Sequence, residues 1–75
     1  MQVDKTLMKN EVLQFGKKLR DVRLKKKLSQ GDIARILGVH RSYISGLERG
    51  RRIPSLLTVH KVAKALGISV NELLK

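Results

Sequence analysis

Gln30, Ala34, Gly38, Ile44 and Leu47 recur at an unusual spacing between two cationic runs, Lys25-Lys26-Lys27 before them and Arg49 to Arg52 after. Amide and guanidinium side chains of this kind bond to phosphates and to the edges of base pairs, so the chemistry on offer is recognition rather than bond making. Two helices that cross at about 90–120° through a tight turn need a small residue where they touch and one tolerant of positive φ at the corner. Ala34 and Gly38 meet those two demands. After Gly38, the apolar residues Val39, Ile44 and Leu47 fall at helical spacing, with Arg41, Ser42, Ser45 and Arg49 on the opposite face. One face is expected to pack and the other to be free to read. Ser29 followed by Asp32 makes a capping-box-like start that aims the first amides of its helix outward, a natural seat for a phosphate. The pattern is a helix-turn-helix, and it implies sequence-specific binding of duplex DNA.

The elements that must position these residues follow from apolar period and caps. A first helix is expected from Glu11 to Lys26, with Asn10 as its cap and Val12, Phe15, Leu19 and Val22 as its buried stripe. The second and third helices run from Gln30 to Leu37 and from Arg41 to Arg49. Gly50 stops the third, and Pro54 biases Ile53 away from helix, which makes Arg51-Arg52-Ile53-Pro54 a loop. Ser55 caps a fourth helix ending at Leu66 and Gly67, whose stripe of Leu56, Val59, Val62, Ala63 and Leu66 closes the core. Ser69 with Glu72 opens a short last helix through Leu74. Met1 to Lys9 lacks apolar period and reads as an N-terminal arm, leaving residues 10–75 as one helical domain.

Composition bounds the function. Seventy-five residues make one small domain, too short for a large active-site cavity. Seventeen Lys and Arg against six Asp and Glu give a formal charge of +11, which draws polyanions in. Without cysteine there is neither a disulfide framework nor a thiolate metal site, which suits a reducing cytoplasm. Neither histidine has a partner at convincing ligand spacing, so no metal and no cofactor are expected. The chain lacks a run approaching the roughly 18 apolar residues of a membrane span, and Met1 to Lys9 lacks the apolar region of a signal peptide, so the expected place is the cytosol. Without paired carboxylates at useful spacing or a glycine-rich phosphate loop, catalysis is not expected.

From about Phe15 to Leu74 the chain resembles the phage repressor and Cro family, also called XRE. The resemblance rests on Leu28-Ser29-Gln30, Ile33-Ala34, Leu37-Gly38-Val39, the run from Arg41 to Gly50, and Pro54-Ser55-Leu56. The string Tyr43-Ile44-Ser45-Gly46-Leu47-Glu48-Arg49 is also similar, over fewer residues, to the controller proteins of restriction–modification systems. The resemblance implies an all-α, five-helix, lambda-repressor-like bundle.

It also implies roles. The start of the third helix enters the major groove, which puts Arg41, Ser42, Tyr43, Ser45 and Gly46 at the bases. A guanidinium at Arg41 can bond O6 and N7 of guanine; a phosphate contact or a solvated side chain are its other readings. Tyr43 either lays its ring on a thymine methyl or a sugar, or packs against the neighbouring turn. Gly46 stands where relatives carry a polar or basic side chain, so it is expected to leave the helix free to approach the bases. Ser29 and Gln30 match the family's phosphate clamp, with ordinary capping as the plainer reading. Arg49, Arg51 and Arg52 are expected along the backbone, or in part solvated, and His40 either bonds a phosphate or caps the third helix. Arg23 and Glu48 match a pair that couples the first helix to the third while the arginine also touches a phosphate. Gly31 replaces a commonly acidic residue, at about 1 kcal/mol of helix propensity relative to Ala. Val70, Leu73 and Leu74 are the expected dimer seam, or else the end of the monomer core. Leu57 lies off the buried stripe, a surface leucine or part of an interface.

The expected function is transcriptional regulation through an inverted-repeat operator read by a homodimer, with contact to RNA polymerase as one further partner. The alternative is an antitoxin-like protein that binds a partner toxin as well as its own operator.

Overall fold

The computed structural model describes residues 9–74. Among them the chain forms five helices and no strand: α1 (Lys9–Lys25), α2 (Gln30–Leu37), α3 (Arg41–Glu48), α4 (Leu56–Leu66) and α5 (Val70–Leu74). This is the expected all-α bundle. The arm expected over Met1 to Lys9 lies outside the described residues except for Lys9, which already begins α1. Asn10 therefore sits inside the helix rather than capping it.

Local chemistry explains most helix ends. Ser29 and Asp32 form a complete capping box: Asp32 N–H donates to Ser29 Oγ at 2.9 Å, and Ser29 N–H donates to the Asp32 carboxylate at 2.8 Å. Gly38 closes α2 in the left-handed region at φ 70°, its N–H reaching back to the carbonyls of Ala34 and Arg35. Only a residue without Cβ takes that corner without strain, which is what the sequence pattern required. Ser55 caps α4 through Thr58 N–H at 3.1 Å, and Ser69 Oγ accepts Glu72 N–H at 3.1 Å before α5. α1 ends less predictably, with Lys27 at φ 58° and the N–H of Leu28 bonded to Arg23 O at 3.0 Å.

The core joins Val12, Phe15 and Leu19 of α1 to Ile33, Ile44, Leu47, Val59, Val62, Leu66 and Leu73. α1 packs on α3 and α5, and α2 packs on α3 and α4. Burying a side chain of this size contributes about 1.5–3 kcal/mol, so losing one removes a large part of the margin of a domain this small. Val22, expected in the buried stripe of α1, is only partly buried against the core, and two more apolar residues depart from the expected stripes. Val39 is 38 % exposed, because it belongs to the turn after Gly38 and not to either helix. Leu56 is 51 % exposed as the first residue of α4, whose buried stripe begins only at Val59. Leu57 is more exposed still. Pro54, read from sequence only as a helix breaker, is itself buried.

The capping box predicts an acid-sensitive step. The Asp32 carboxyl is held below the usual carboxylate range, chiefly by the Ser29 backbone N–H and then by the Ser29 hydroxyl. A group more acidic in the folded than in the unfolded chain stabilises the fold above its unfolded value and ceases to do so as pH falls through its folded value. The thermal stability of the wild type is expected to fall below about pH 4, and Asp32→Asn to reduce that acid dependence. Identical acid profiles for the two proteins would remove Asp32 from the account.

Candidate nucleic-acid interface

The turn at Gly38 leaves the start of α3 beside the N-terminus of α2. Ser29, Gln30, Gly31, Ala34, Arg35, Val39, His40 and Arg41 line one open cleft there, with a volume of about 640 Å³. Arg41 and Ser42 are exposed on the first turn of α3, and Ser45 follows on the same face, half-buried. Ile44 and Leu47 on the opposite face are fully buried. The structure thus brings Ser29, Gln30, His40 and Arg41 to one concave surface, as the sequence spacing requires. Gly31 lines it without steric cause, since a Cβ there would make only ordinary contacts with Ser29 and Arg35.

What fixes α3 at this angle is the carboxylate of its last residue. Glu48 Oε2 accepts Arg23 Nε–H at 2.6 Å, and Oε1 accepts Arg23 Nη2–H at 3.0 Å. The fork is bidentate, the geometry in which a guanidinium binds a carboxylate most strongly. Arg23 also donates from Nη1 to Leu28 O at 2.9 Å, and is only 8 % exposed. Its pKa is pushed further up by the bond to Glu48, against the cost of burial. Gln30 completes the group, donating from Nε2 to Glu48 Oε1 at 3.1 Å. Three helices are joined at one side chain.

The expected coupling of Arg23 to Glu48 is therefore present, while the phosphate contact expected of Arg23 is opposed by burial and by three bonds inside the protein. The sequence pattern makes Gln30 a phosphate clamp or a cap residue. The structure gives its amide a further task, as a second donor to Glu48.

A second constraint lies where α1 meets α3. Gly16 is buried in α1, and a Cβ built on it would overlap the Leu47 carbonyl oxygen and lie 2.8 Å from that of Glu48. The backbone of α1 rests directly on the end of α3. An isolated glycine in the middle of an amphipathic helix is the signal that marks such a contact.

Other expected positions shift in meaning. Gly46 is not open: a Cβ there would lie 2.6 Å from Arg52 Cγ, so the aliphatic stem of Arg52 covers it. The N–H groups of Arg51 and Arg52 both bond to Gly46 O, at 2.8 and 3.2 Å, which folds this loop back onto α3. Arg49 is the C-cap of α3 rather than its last helical residue. His40 occupies the N-cap without a side-chain cap bond, so of its two readings capping is not realised. Tyr43 is half-buried and packs against the core. Leu73 is fully buried in the monomer and offers no surface for a dimer seam, because α5 uses it to close over α1 and α4. Val70 and Leu74 remain partly open.

The sequence profile of the Helix-turn-helix family, HTH_3, matches residues 19–73, from the middle of α1 into α5. The chain belongs to the helix-turn-helix (XRE) family. Within the family it is 46 % identical over 63 residues to the control protein C.BamHI of Bacillus amyloliquefaciens, covering 83 % of this chain and 78 % of that one. It is 37 % identical over 59 residues to the cryptic phage CTXphi transcriptional repressor RstR of Vibrio cholerae, covering 79 % of this chain and 53 % of RstR. The restriction-modification controller protein C.AhdI of Aeromonas hydrophila superposes with a TM-score of 0.80 at 44 % identity, over 85 % of this chain and 97 % of that one. The protein is a transcriptional regulator with a helix-turn-helix DNA-binding domain, homologous to repressors and controller proteins. No helix among the described residues is long and apolar enough to cross a membrane.

Two measurements test the anchoring of α3. Gly16→Ala forces α1 away from α3 and is expected to lower stability by about 1–3 kcal/mol, the usual cost of overpacking; a thermal melt unchanged from wild type would show that the helices do not touch there. Arg23→Ala and Glu48→Ala are each expected to destabilise strongly, and the double variant by much less than their sum, because each single change strands a buried partner. Additive losses in that cycle would mean the two side chains do not act as a pair.

Proposed function

We propose that this protein regulates transcription by binding an inverted-repeat operator as a homodimer, each copy placing the start of α3 in the major groove. The observation that carries the reading is the division of α3 into a buried face pinned through Glu48 and an open face bearing Arg41, Ser42 and Ser45. A helix held on one side and polar on the other is what base recognition needs. Arg41 is the principal reader, through guanine, and Ser42 and Ser45 bond to whichever groups lie opposite. Arg52 supplies over Gly46 the side chain that α3 itself lacks there.

Ser29, Gln30 and His40 bind one backbone phosphate at the cleft, which sets the register of α3 in the groove. One α3 covers only a few base pairs, so two copies about 34 Å apart read half-sites one turn from each other. Val70 and Leu74 contribute to the contact between copies, with Leu73 holding α5 in place from beneath. The reading is of a binding protein without catalysis, in keeping with relatives that are control proteins and repressors by name.

Selection from randomised duplex DNA at about 150 mM salt, near physiological ionic strength, is expected to enrich an inverted repeat. Arg41→Ala then relaxes the preference at one position of each half-site by about 1–3 kcal/mol, whereas Gln30→Ala weakens every sequence alike. Uniform losses for both variants would refute the role given to Arg41, and a wild type that enriches no motif would refute operator binding.

A further inference from the structure

We infer that Lys17 and Arg20 of α1, with Arg49 and Arg51 beyond α3, form a second phosphate-binding site that holds the DNA backbone at the far end of the recognition helix. The inference rests on the operator-binding reading and adds α1 to the surface that touches DNA.

These four cations line a single open concavity of about 640 Å³ together with Asp21 and Glu48. All four are exposed, and among the described residues none of them makes an ion pair or a side-chain hydrogen bond. The two carboxylates do not balance them. Glu48 is already occupied by Arg23 and Gln30, leaving Asp21 alone against four positive charges. Like charges gathered around a hollow repel one another at modest cost in water, and an anion seated among them turns that repulsion into attraction.

The packing of α1 explains why they gather there. Gly16 lets α1 rest on the carbonyls of Leu47 and Glu48, and Arg23 bonds to Glu48 two turns further on. Arg20 lies between those fixed points on the same side of α1, one turn from each, and Lys17 is one turn before it. α1 therefore holds Lys17 and Arg20, while Arg49 and Arg51 are held by backbone bonds from the end of α3 and the loop after it to Ser45 O and Gly46 O. The cleft at Gln30 opens at the start of α3 and this hollow at its end, eight residues on. At 1.5 Å per residue the helix between the two seats is about 12 Å long, close to the width of the major groove. A helix lying in the groove with a phosphate seat at either end is gripped on both rims.

The test measures operator affinity against salt concentration for the wild type, for Lys17→Gln/Arg20→Gln, and for Lys61→Gln/Lys64→Gln. The last pair removes the same charge from exposed residues of a different groove, between α2 and α4. Glutamine keeps helix propensity near that of the residues replaced, so all three proteins are expected to melt alike. Loss of two phosphate contacts lowers the slope of log K against log salt by about 1.8, with the enriched motif unchanged. The α4 pair is expected to leave the slope as it is. Equal slopes for the two variants would overturn the site and leave only long-range attraction, whereas a wild type without any enriched motif would overturn the functional reading and the site with it.

Discussion

The carboxylate of Glu48 is the point on which the arrangement of helices around the exposed face of α3 turns. A buried ion pair adds little net stability, because taking both charges out of water offsets most of their attraction, yet removing one partner costs about 3–5 kcal/mol. Its contribution is thus to geometry more than to stability. Arg23 brings α1 to the end of α3, and Gln30 brings α2 to the same oxygen. Any rotation of α3 stretches three hydrogen bonds at once. The hydrophobic contacts of Ile44 and Leu47 hold the helix against the core but resist turning less sharply, since dispersion is not directional.

An acid among cations also settles a conflict of charge. Left alone, Glu48 would repel any phosphate near α3. Bonded to a guanidinium and an amide, it presents no free anionic edge to oppose the exposed Arg41, Arg49, Arg51 and Arg52. The same side chain that fixes the helix is thereby hidden from the polyanion it would oppose.

Much of the fold could be read along the chain because helix ends obey local rules. Ser29 with Asp32, Gly38, Ser55 and Gly67 all sit where capping chemistry puts them, and the bounds of α2 and α4 follow. The structure departs from the pattern where local rules stop. Asn10 had the right chemistry for a cap, but α1 begins before it. Val39 and Leu56 fit an apolar period, yet burial depends on which helix lies opposite, and at those positions none covers them fully. The pairing of Arg23 with Glu48 was accessible only through resemblance to a family, being a contact across 25 residues. Gly16 and the bond from Gln30 to Glu48 carried no reading at all, because each expresses the crossing of two helices rather than the preference of one residue.

The loop after α3 has a consequence for how the surface can change. Arg52 lies on Gly46, so part of the outer chemistry of α3 is lent by a residue outside it. Helical propensity and core packing place no demand on an exposed loop residue, whereas propensity constrains every position within α3 and packing those on its buried face. Exchange of Arg52 re-dresses the middle of the helix while leaving its backbone, its buried face and its anchoring untouched. A side chain introduced at position 46 does the reverse, evicting the borrowed one. The exposed face is therefore a composite with one adjustable part, and alteration of that part is separable from folding.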